Sequence, residues 1–300
     1  MKSKDRDPNT HYELVDRGLE LANFAPNVHK AVRSDLHRYL DKRLADIDGV
    51  TEGIADFHTE LWREFYRISG RRDPFREAKL GSHQFAEKIR NELGDLSLEV
   101  ALRYSIIANK LDFGAYDYNP EAMPVSLDFF QNPIELLYDD SQQLLDRLTL
   151  ANTLLYLPDN HGEAVFDLEF IRQLSKQFPD CQICIAAKSA PMLNDVTAKD
   201  LVEIGFTEFA EVISTGTNAL GAPLDEVSQE FTDAFAAADV IIAKGQAHFE
   251  FWTEFSSSKI FNLLHVKIPV VDEHFGQLSP GENLVMASER YSEGKKAYCA

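Results

Sequence analysis

Two carboxylates and an amide are the first candidates for chemistry in this sequence. In the segment "LPDNHGEAVFD", the apolar run "TLLYL" stops at Pro158, and Asp159 and Asn160 follow at once. A third oxygen donor, Asp195, comes after the apolar run "QICIAA". Carboxylate and amide oxygens are ligands that Mg²⁺, Mn²⁺ and similar ions prefer. These three residues therefore predict a metal site with open positions for a substrate.

The same three residues have a structural alternative as helix caps. Asp and Asn are among the most favoured N-cap residues. Helical patterns begin close to Gly162 and again near residue 197. Asp159 and Asn160 would then cap the first of these helices, and Asp195 the second. The motifs alone leave both interpretations open.

Two further residues of this segment, Glu163 and His161, carry ionisable groups. Glu163 is a candidate to orient a metal ligand or a metal-bound water, or to act as a general base. Alternatively, it is an acid in a first helical turn, where the helix dipole favours negative charge. His161 is interpreted as facing solvent or substrate, because its neighbours already supply oxygen ligands.

A lysine and a glycine after the run "DVIIA" predict a phosphate contact. Gly245 lets backbone N–H groups approach an anion at a helix N-terminus, and Lys244 adds a point charge suited to phosphate. The alternative is an ordinary surface lysine. The loop "TGTNALG" after the run "EVIS" offers Thr215, Gly216 and Thr217 as further donors to the same phosphate.

The elements that must position these residues are strands and helices in alternation. The apolar runs "TLLYL", "QICIAA", "EVIS", "DVIIA" and "KIPVV" predict strands, and "NLVMA" near 283–287 is a candidate for another. Helical patterns at 164–178, 197–205 and 226–238 lie between them. Such alternation predicts a parallel, doubly wound α/β sheet, which binds ligands at the carboxyl ends of its strands.

The first part of the chain has a different pattern. From about residue 10 to 120, apolar residues recur at three- and four-residue intervals, which predicts packed helices, the first capped by Thr10. We therefore predict two domains. The helical N-terminal domain covers residues 1–125, and the α/β metal-binding domain covers residues 126–300.

Composition limits the class of partner. The net charge of −19 repels polyanions, so we expect no nucleic-acid partner. It also repels a phosphorylated small molecule unless a metal ion or a local cation reverses the sign at the site. The charged start "MKSKDRDPNT" and the lack of a long apolar run predict neither a signal peptide nor a membrane partner. Three sparse cysteines are typical of a reducing cytoplasm.

Several motifs, taken in order, carry a family resemblance. The segments "DNHGEAVFD", "APMLNDVTAKD", "VISTGTNALG", "IIAKGQAHFE" and "LLHVKIPVVDEHFG" resemble the metal-dependent damage-control phosphatases, some of whose relatives are described as protein-glutamate methyltransferases. In the helical half, "RRDPFREAK" and "IIANKLDFG" are similar to N-terminal segments of that family. The resemblance covers roughly residues 70–285.

The resemblance implies a fold and a metal site. A helical N-terminal region would pack on a Rossmann-like α/β/α sandwich. One divalent ion, Mn²⁺, Co²⁺, Ni²⁺ or Mg²⁺, would be held by Asp159, Asn160 and Asp195. The family acts on small phosphorylated metabolites, often side-products such as sugar phosphates.

The resemblance also implies substrate contacts, with two departures. Lys244 would contact the phosphate, and Asn109 and Asp112 would line the cleft from the helical side. His248 stands where the family's lysine motif usually has Asn, which bears on local hydrogen bonding and substrate choice. The N-terminal CxxC pair of many microbial members is missing.

Three functional hypotheses follow from these residues. The leading one is a metal-dependent phosphatase of small phosphorylated metabolites. The second is a carboxyl methyltransferase that uses S-adenosylmethionine, although no glycine-rich loop follows the first strand of the α/β half. The third is a non-catalytic protein that binds a metal or a metabolite, an idea that His248 keeps open. The sequence does not predict the oligomeric state.

Overall fold

The computed structural model describes residues 8–45, 54–111, 134–252, 255–267, 269–272, 276–291 and 296–297. Within these residues the chain has a mixed α/β fold in which helices come first and then alternate with strands. The predicted helical piece "SLDFF" and the cleft residue Asp112 lie outside the described residues. No described helix has both the length and the apolar composition that a bilayer-spanning segment needs.

The helical pattern of the first part is confirmed. The helices are α1 (Pro8–Leu21), α2 (Pro26–Ala45), α3 (Ile54–Ser69), α4 (Arg76–Glu92) and α5 (Leu98–Ile107), and a 3₁₀ turn, Ala108–Leu111, follows α5. The predicted cap at Thr10 is wrong, because α1 begins at Pro8 and includes Thr10. Proline is favoured in a first helical turn, where its missing N–H costs nothing.

The helices of the first part bury apolar side chains in two places. Helices α1 to α3 share an aromatic core that includes Trp62, Phe65 and Phe75. Helix α5 instead packs Leu102 and Ile106 into the core that lies against the sheet. The division of the chain into domains at residue 125 stays a prediction.

The remaining elements alternate as expected, with short additional strands near the end. The helices are α6 (Ser141–Leu150), α7 (Ala164–Gln177), α8 (Ala198–Ile204), α9 (Gln229–Ala237) and α10 (Gly245–Trp252). The strands are β1 (Tyr138–Asp139), β2 (Thr153–Leu157), β3 (Gln182–Ala187), β4 (Glu211–Ser214), β5 (Val240–Lys244), β6 (Phe255–Ser256), β7 (Ile260–His265), β8 (Val270–Asp272), β9 (Gly276–Leu278), β10 (Asn283–Ala287) and β11 (Lys296–Ala297).

The large sheet is mostly parallel and has the strand order β1-β10-β7-β5-β2-β3-β4. Neighbours from β7 through β5, β2 and β3 to β4 are parallel, whereas β10 runs antiparallel to β7. The chain leaves β2 towards β3 and β4, and then crosses to β5 on the other side of β2. Strand order therefore reverses between β2 and β5, and open sheets bind ligands at the carboxyl ends of such strands.

The prediction that "KIPVV" forms a strand of this sheet is wrong. The parallel neighbour of β5 is β7, with the sequence "IFNLLH", and β8 pairs with β9 in a separate two-stranded sheet. Asn262 and His265 interrupt the apolar pattern of β7, although all six of its residues are buried. The side-chain amide of Asn262 donates a hydrogen bond to Ser288 Oγ at 3.1 Å, a contact between distant parts of the sequence that the local pattern does not predict.

Candidate active site

Backbone pairing brings the three predicted metal ligands together. Asn160 and Asp195 form an isolated antiparallel bridge between the loops that follow β2 and β3. The N–H of Val196 donates to the carbonyl of Asp159 at 2.9 Å, which extends this pairing. Directly opposed residues of antiparallel segments have Cα atoms about 4.5–5.5 Å apart. Residues that are far apart in sequence thus meet beside the point where strand order reverses.

Helix capping does not account for these three residues. The N-cap of α7 is Glu163, whose side chain makes no capping hydrogen bond. The N-cap of α8 is Thr197, which forms a capping box with Asp200, each side chain accepting the other residue's backbone N–H. The side chains of Asp159, Asn160 and Asp195 therefore do not cap the N-termini of α7 and α8.

The carboxylate of Asp159 is surrounded by donors. Its Oδ2 accepts hydrogen bonds from the side-chain amides of Asn109 and Asn160, both at 2.8 Å, and lies 3.7 Å from Lys267 Nζ. Burial alone would raise the pKa of Asp159, but the charge of Lys267 and the hydrogen bond from Asn109 lower it below the ordinary value. The group is consequently an anion at neutral pH.

Gly245 leaves the space that this carboxylate occupies. Its φ of +81° lies in the left-handed region, and a Cβ built on it would be 2.1 Å from Asp159 Oδ2. Because glycine has no side chain, the backbone at Gly245 can turn from β5 into α10 directly beside Asp159. The sequence predicted that Gly245 lets an anion approach the backbone, and the anion in contact with this position is Asp159 itself.

Two lysines that the sequence analysis did not single out contact the predicted metal ligands. Lys188 Nζ is 3.2 Å from Asp195 Oδ2, as Lys267 is close to Asp159. The side chains of Lys188 and Lys267 are only 8% and 13% exposed. Lys188 is the first residue after β3, so reading the position directly after each strand would have found it.

Lys244, by contrast, is enclosed by protein acceptors. Its Nζ donates to the carbonyl of Ser105 at 2.9 Å and to Glu163 Oε1 and Asp167 Oδ1, both at 2.8 Å. Lys244, Glu163 and Asp167 are fully buried, so the surface-lysine alternative is wrong. Burial would lower the pKa of Lys244, but the two carboxylates outweigh this and raise it. An ammonium has three N–H bonds, so a phosphate contact would require one of these acceptors to be exchanged.

Glu163 links the buried lysine to the metal set. Its Oε2 accepts a hydrogen bond from Asn160 at 3.3 Å and another from Asn109, while Oε1 faces Lys244. Burial raises the pKa of Glu163 to about 8, and burial also raises the pKa of Asp167. Asp167 was missed by the sequence analysis. Its signal was a spacing of four residues from Glu163, which puts both on one face of α7.

Asn109 comes from the helical half of the chain. It lies in the 3₁₀ turn after α5, is 1% exposed, and donates to both Asp159 and Glu163. Its Oδ1 is buried without a hydrogen-bond partner in the described part of the chain. The residue therefore lies at the predicted site, where the family resemblance implies a cleft.

The loop from Thr215 to Thr217 is held by its own hydroxyl groups. Thr215 Oγ1 donates to the Thr217 carbonyl at 3.0 Å, and Thr217 Oγ1 donates to Glu226 at 2.9 Å. Arg63 of α3 binds Glu226 at 2.6 Å, which ties the loop to the first helices. Gly216 has a φ of +84°, and a Cβ there would be 2.6 Å from Ser228 N. Phosphate binding by this loop stays a prediction.

His161 is buried, at 6% exposure, and does not face solvent. It lines a hollow of about 170 Å³ together with Lys79, His83 and Asp200. The rings of His161 and His83 are 5.3 Å apart. None of the three predicted metal ligands lines this hollow. This position agrees with the interpretation that His161 is not a ligand of that set.

His248 occupies a buried position beside Lys244. Its Nδ1 lies 2.8 Å from the carbonyl oxygen of Lys244, and because a carbonyl only accepts, this ring nitrogen is the donor. Burial, and then the nearby charge of Lys188, lowers the pKa of His248 to about 4. The imidazole is therefore neutral at pH 7 and supplies no positive charge to an anion.

The donor set fits a divalent ion that prefers oxygen. Asp159 and Asp195 supply carboxylates and Asn160 an amide, and water or phosphate can complete the six positions that Mg²⁺ and Mn²⁺ take. Gly245 keeps the space beside Asp159 free of a side chain. Within the described residues, no group of three or more His, Cys, Asp or Glu side chains is arranged for a metal ion. The predicted set contains two residues of these types, Asp159 and Asp195, and its third ligand is the side-chain amide of Asn160.

Comparisons with known proteins agree on one family. The family described as "Damage-control phosphatase ARMT1-like domain" matches residues 20–280. A damage-control phosphatase of Pyrococcus horikoshii is 38% identical over 214 residues, which are 70% of this chain and 74% of that protein. An uncharacterized protein of Methanocaldococcus jannaschii is 30% identical over 288 residues, 91% of each chain.

A solved structure supports the same relationship at the level of the fold. The crystal structure of a DUF89 family protein from Pyrococcus horikoshii is similar with a TM-score of 0.80 and 31% sequence identity. The match covers 96% of this chain and 99% of the other. With a family match over most of its length and a shared fold, this protein belongs to the damage-control phosphatase ARMT1-like family.

Proposed function

We propose that this damage-control phosphatase is a metal-dependent hydrolase of small phosphate monoesters, with sugar phosphates and related side-products as its substrate class. The observation that carries the proposal is the bridge between Asn160 and Asp195, which gathers an oxygen-donor set where strand order reverses. Family membership supports the phosphatase chemistry. The donor set supports its dependence on a metal ion.

Asp159, Asn160 and Asp195 hold the ion in this proposal. When bound, a divalent ion supplies Lewis acidity towards a phosphoryl oxygen and towards the attacking water. Glu163 positions Asn160, because its Oε2 accepts from the Asn160 amide while Lys244 fixes its other oxygen. We expect Mn²⁺, Co²⁺, Ni²⁺ or Mg²⁺ to serve, since each accepts oxygen ligands.

Charge supports a small substrate that is bound locally. The chain carries a net charge of −19, which repels nucleic acids and also a free phosphate dianion. Substrate binding therefore needs local positive charge, which a divalent ion and Lys267, 3.7 Å from Asp159, would supply. Contacts from Lys244, Gly245 and residues 215–217 to the phosphate stay predictions.

The proposal also includes a Rossmann-like architecture and a cytoplasmic location. Helices α7, α8 and α9 connect the parallel strands of the sheet, which supports a Rossmann-like sandwich with the first helices as a separate N-terminal domain. A cytoplasmic location stays the expectation from the sparse cysteines.

The first test removes metal and restores it. The protein would be treated with a chelator, and hydrolysis of p-nitrophenyl phosphate and a panel of sugar phosphates would be measured with each of the four ions singly. We expect activity to return with at least one ion and to be absent in Asp195→Ala. Full metal-dependent turnover by Asp195→Ala would contradict the site.

Failure of hydrolysis would redirect the function. If the wild-type protein hydrolyses no ester with any ion, S-adenosylmethionine binding would be measured by calorimetry. Binding would favour the methyltransferase alternative. Metal binding without hydrolysis or S-adenosylmethionine binding would favour a binding protein.

A further inference from the structure

We propose that Lys188 is the phosphate-binding cation of this site. The inference rests on the proposed function, because it assigns a residue to the phosphate of the substrate. It concerns a residue that no sequence motif singled out. The sequence had predicted Lys244, and not Lys188, for the contact with the phosphate.

Lys188 joins the two parts of the predicted site. Its Nζ contacts Asp195 Oδ2 at 3.2 Å and the carbonyl of Ala219 at 2.5 Å. Asp195 is a predicted metal ligand, and Ala219 belongs to the loop "TGTNALG" that was predicted to bind phosphate. One ammonium group therefore lies between the metal set and that loop, where a phosphate bound to both would be.

The backbone holds Lys188 in this place. Its carbonyl accepts the N–H of Ala198 at 3.0 Å, within a parallel bridge to Thr197. The N–H of the next residue, Ser189, donates to the carbonyl of Thr217 at 3.0 Å. Backbone contacts on both sides of the site thus fix the lysine, so its side chain enters the site without the freedom of a surface lysine.

Lys244 lies elsewhere and is already neutralised. Its three acceptors are Ser105, Glu163 and Asp167, none of which belongs to the metal set or to residues 215–219. Two acidic side chains, Glu163 and Asp167, accept hydrogen bonds from its ammonium group. Lys188, by contrast, is in an ion pair with one carboxylate of the described residues, that of Asp195.

Metal binding would strengthen this difference. A carboxylate that ligates a divalent ion shares its negative charge with that ion. The positive charge of Lys188 would then be less compensated by Asp195 and more available to an anion. Its exposure of 7% limits competition from water, which strengthens a charge-assisted hydrogen bond to a phosphate oxygen.

The test compares binding of metal with binding of phosphate. Calorimetry would measure Mn²⁺ binding to each protein, and then the binding of inorganic phosphate to the Mn²⁺-loaded protein. The variants are Lys188→Met, Lys188→Gln and Lys188→Arg. The matched control is Lys199→Met, which removes the same charge from α8 at a side chain that is 76% exposed.

We expect Lys188→Met and Lys188→Gln to bind inorganic phosphate at least about tenfold more weakly than wild type. Mn²⁺ binding should be retained or strengthened, because a cation that competes for Asp195 is gone. Lys188→Arg should keep part of the phosphate affinity, and Lys199→Met should equal wild type. A purely structural role would instead weaken the binding of Mn²⁺ and of phosphate together.

Two results would overturn the inference. One is unchanged phosphate affinity in Lys188→Met or, should that variant not fold, equal affinity in Lys188→Gln and Lys188→Arg. The other is a wild-type protein that binds Mn²⁺ but no inorganic phosphate. If Lys188 governs phosphate binding while no ester is hydrolysed, the inference stands and the hydrolase proposal fails. If the wild-type protein hydrolyses esters and Lys188→Met does so with an unchanged KM, the hydrolase proposal stands and the inference about Lys188 fails.

Discussion

Lys244 and Lys188 lie at the ends of the two strands that flank β2, yet their surroundings differ. Lys244 is the last residue of β5, and Lys188 directly follows β3, and both of these strands are parallel neighbours of β2. Lys244 is fully buried between Glu163 and Asp167. Lys188 lies beside the carboxylate of Asp195, at the edge of the predicted metal set.

The comparison shows that a lysine at the end of a strand can serve two purposes. With two buried carboxylates and a carbonyl as acceptors, the ammonium completes a closed cluster and stabilises the fold around Asn160. In our proposal for Lys188, the one facing carboxylate would be shared with a metal ion, and the ammonium would retain charge for a ligand. The number of facing carboxylates, rather than burial alone, separates the two cases.

The largest expected effect is a loss of stability in Lys244→Met. Removing the cation leaves Glu163 and Asp167 buried without a counter-charge, which typically costs about 3–5 kcal/mol. Urea unfolding would measure this loss. Lys188→Met, which leaves the single carboxylate of Asp195 without this ion pair, should lose only about 1–2 kcal/mol.

A double variant tests the cause of that loss. Because Asp167→Asn removes one of the stranded carboxylates, Lys244→Met combined with Asp167→Asn should be more stable than Lys244→Met alone. Equal stability of the single and double variants would mean that the lost packing of the lysine, and not its charge, is responsible.

The next effect concerns the carboxylate that Lys188 contacts. Asp195→Ala should weaken Mn²⁺ binding by at least about 100-fold, since changes outside the ligand set already cost 10–100-fold in metal sites. Calorimetry would measure the affinity, with Asp180→Ala, an exposed acid in a turn, as the charge-matched control. Similar affinities for the two variants would remove Asp195 from the metal set.

A smaller effect is expected at Gly245, which follows Lys244. Gly245→Ala should lose about 1–2 kcal/mol from its left-handed backbone and should also weaken Mn²⁺ binding, because the new Cβ displaces Asp159. Gly276→Ala is a matched control, since Gly276 has a φ of +80° and open space around it. Loss of Mn²⁺ affinity in both variants, measured by calorimetry, would contradict a specific contact with Asp159.

The smallest expected effect is on the pH dependence of stability, and it arises from His58, a histidine that faces the ring of another histidine. The ring of His58 lies 5.5 Å from that of His11, and its Nε2 is enclosed without a hydrogen-bond partner in the described part of the chain. Burial, and then the charge of His11, lowers the pKa of His58 to about 4. Lys244, which is fully buried but faces carboxylates, has its pKa raised.

The sign of the resulting pH dependence follows from proton uptake. Between about pH 6.5 and pH 4 the unfolded chain protonates this histidine and the folded chain does not, so stability falls as pH falls through that window. Urea midpoints of wild type and His58→Phe across this range would measure it. The variant should show a shallower decline, and identical slopes would contradict the assignment to His58.

The sequence by itself determined the order of elements and the types of ligand. The period of its apolar residues predicted α7, α8, β2 to β5 and β10, because alternation and helical spacing are local properties of the chain. The residues after each strand predicted the oxygen donors, because parallel strands place their carboxyl ends at one edge of a sheet.

The tertiary structure alone decided how these residues are used. The bridge between Asn160 and Asp195 and the capping box at Thr197 showed that the metal set does not cap helices, a choice that depends on contacts between distant segments. The same holds for β7, whose Asn262 donates its buried hydrogen bond to Ser288, a residue that follows β10. The roles of lysines depend on how many carboxylates folding brings to them, which residue type and spacing do not encode.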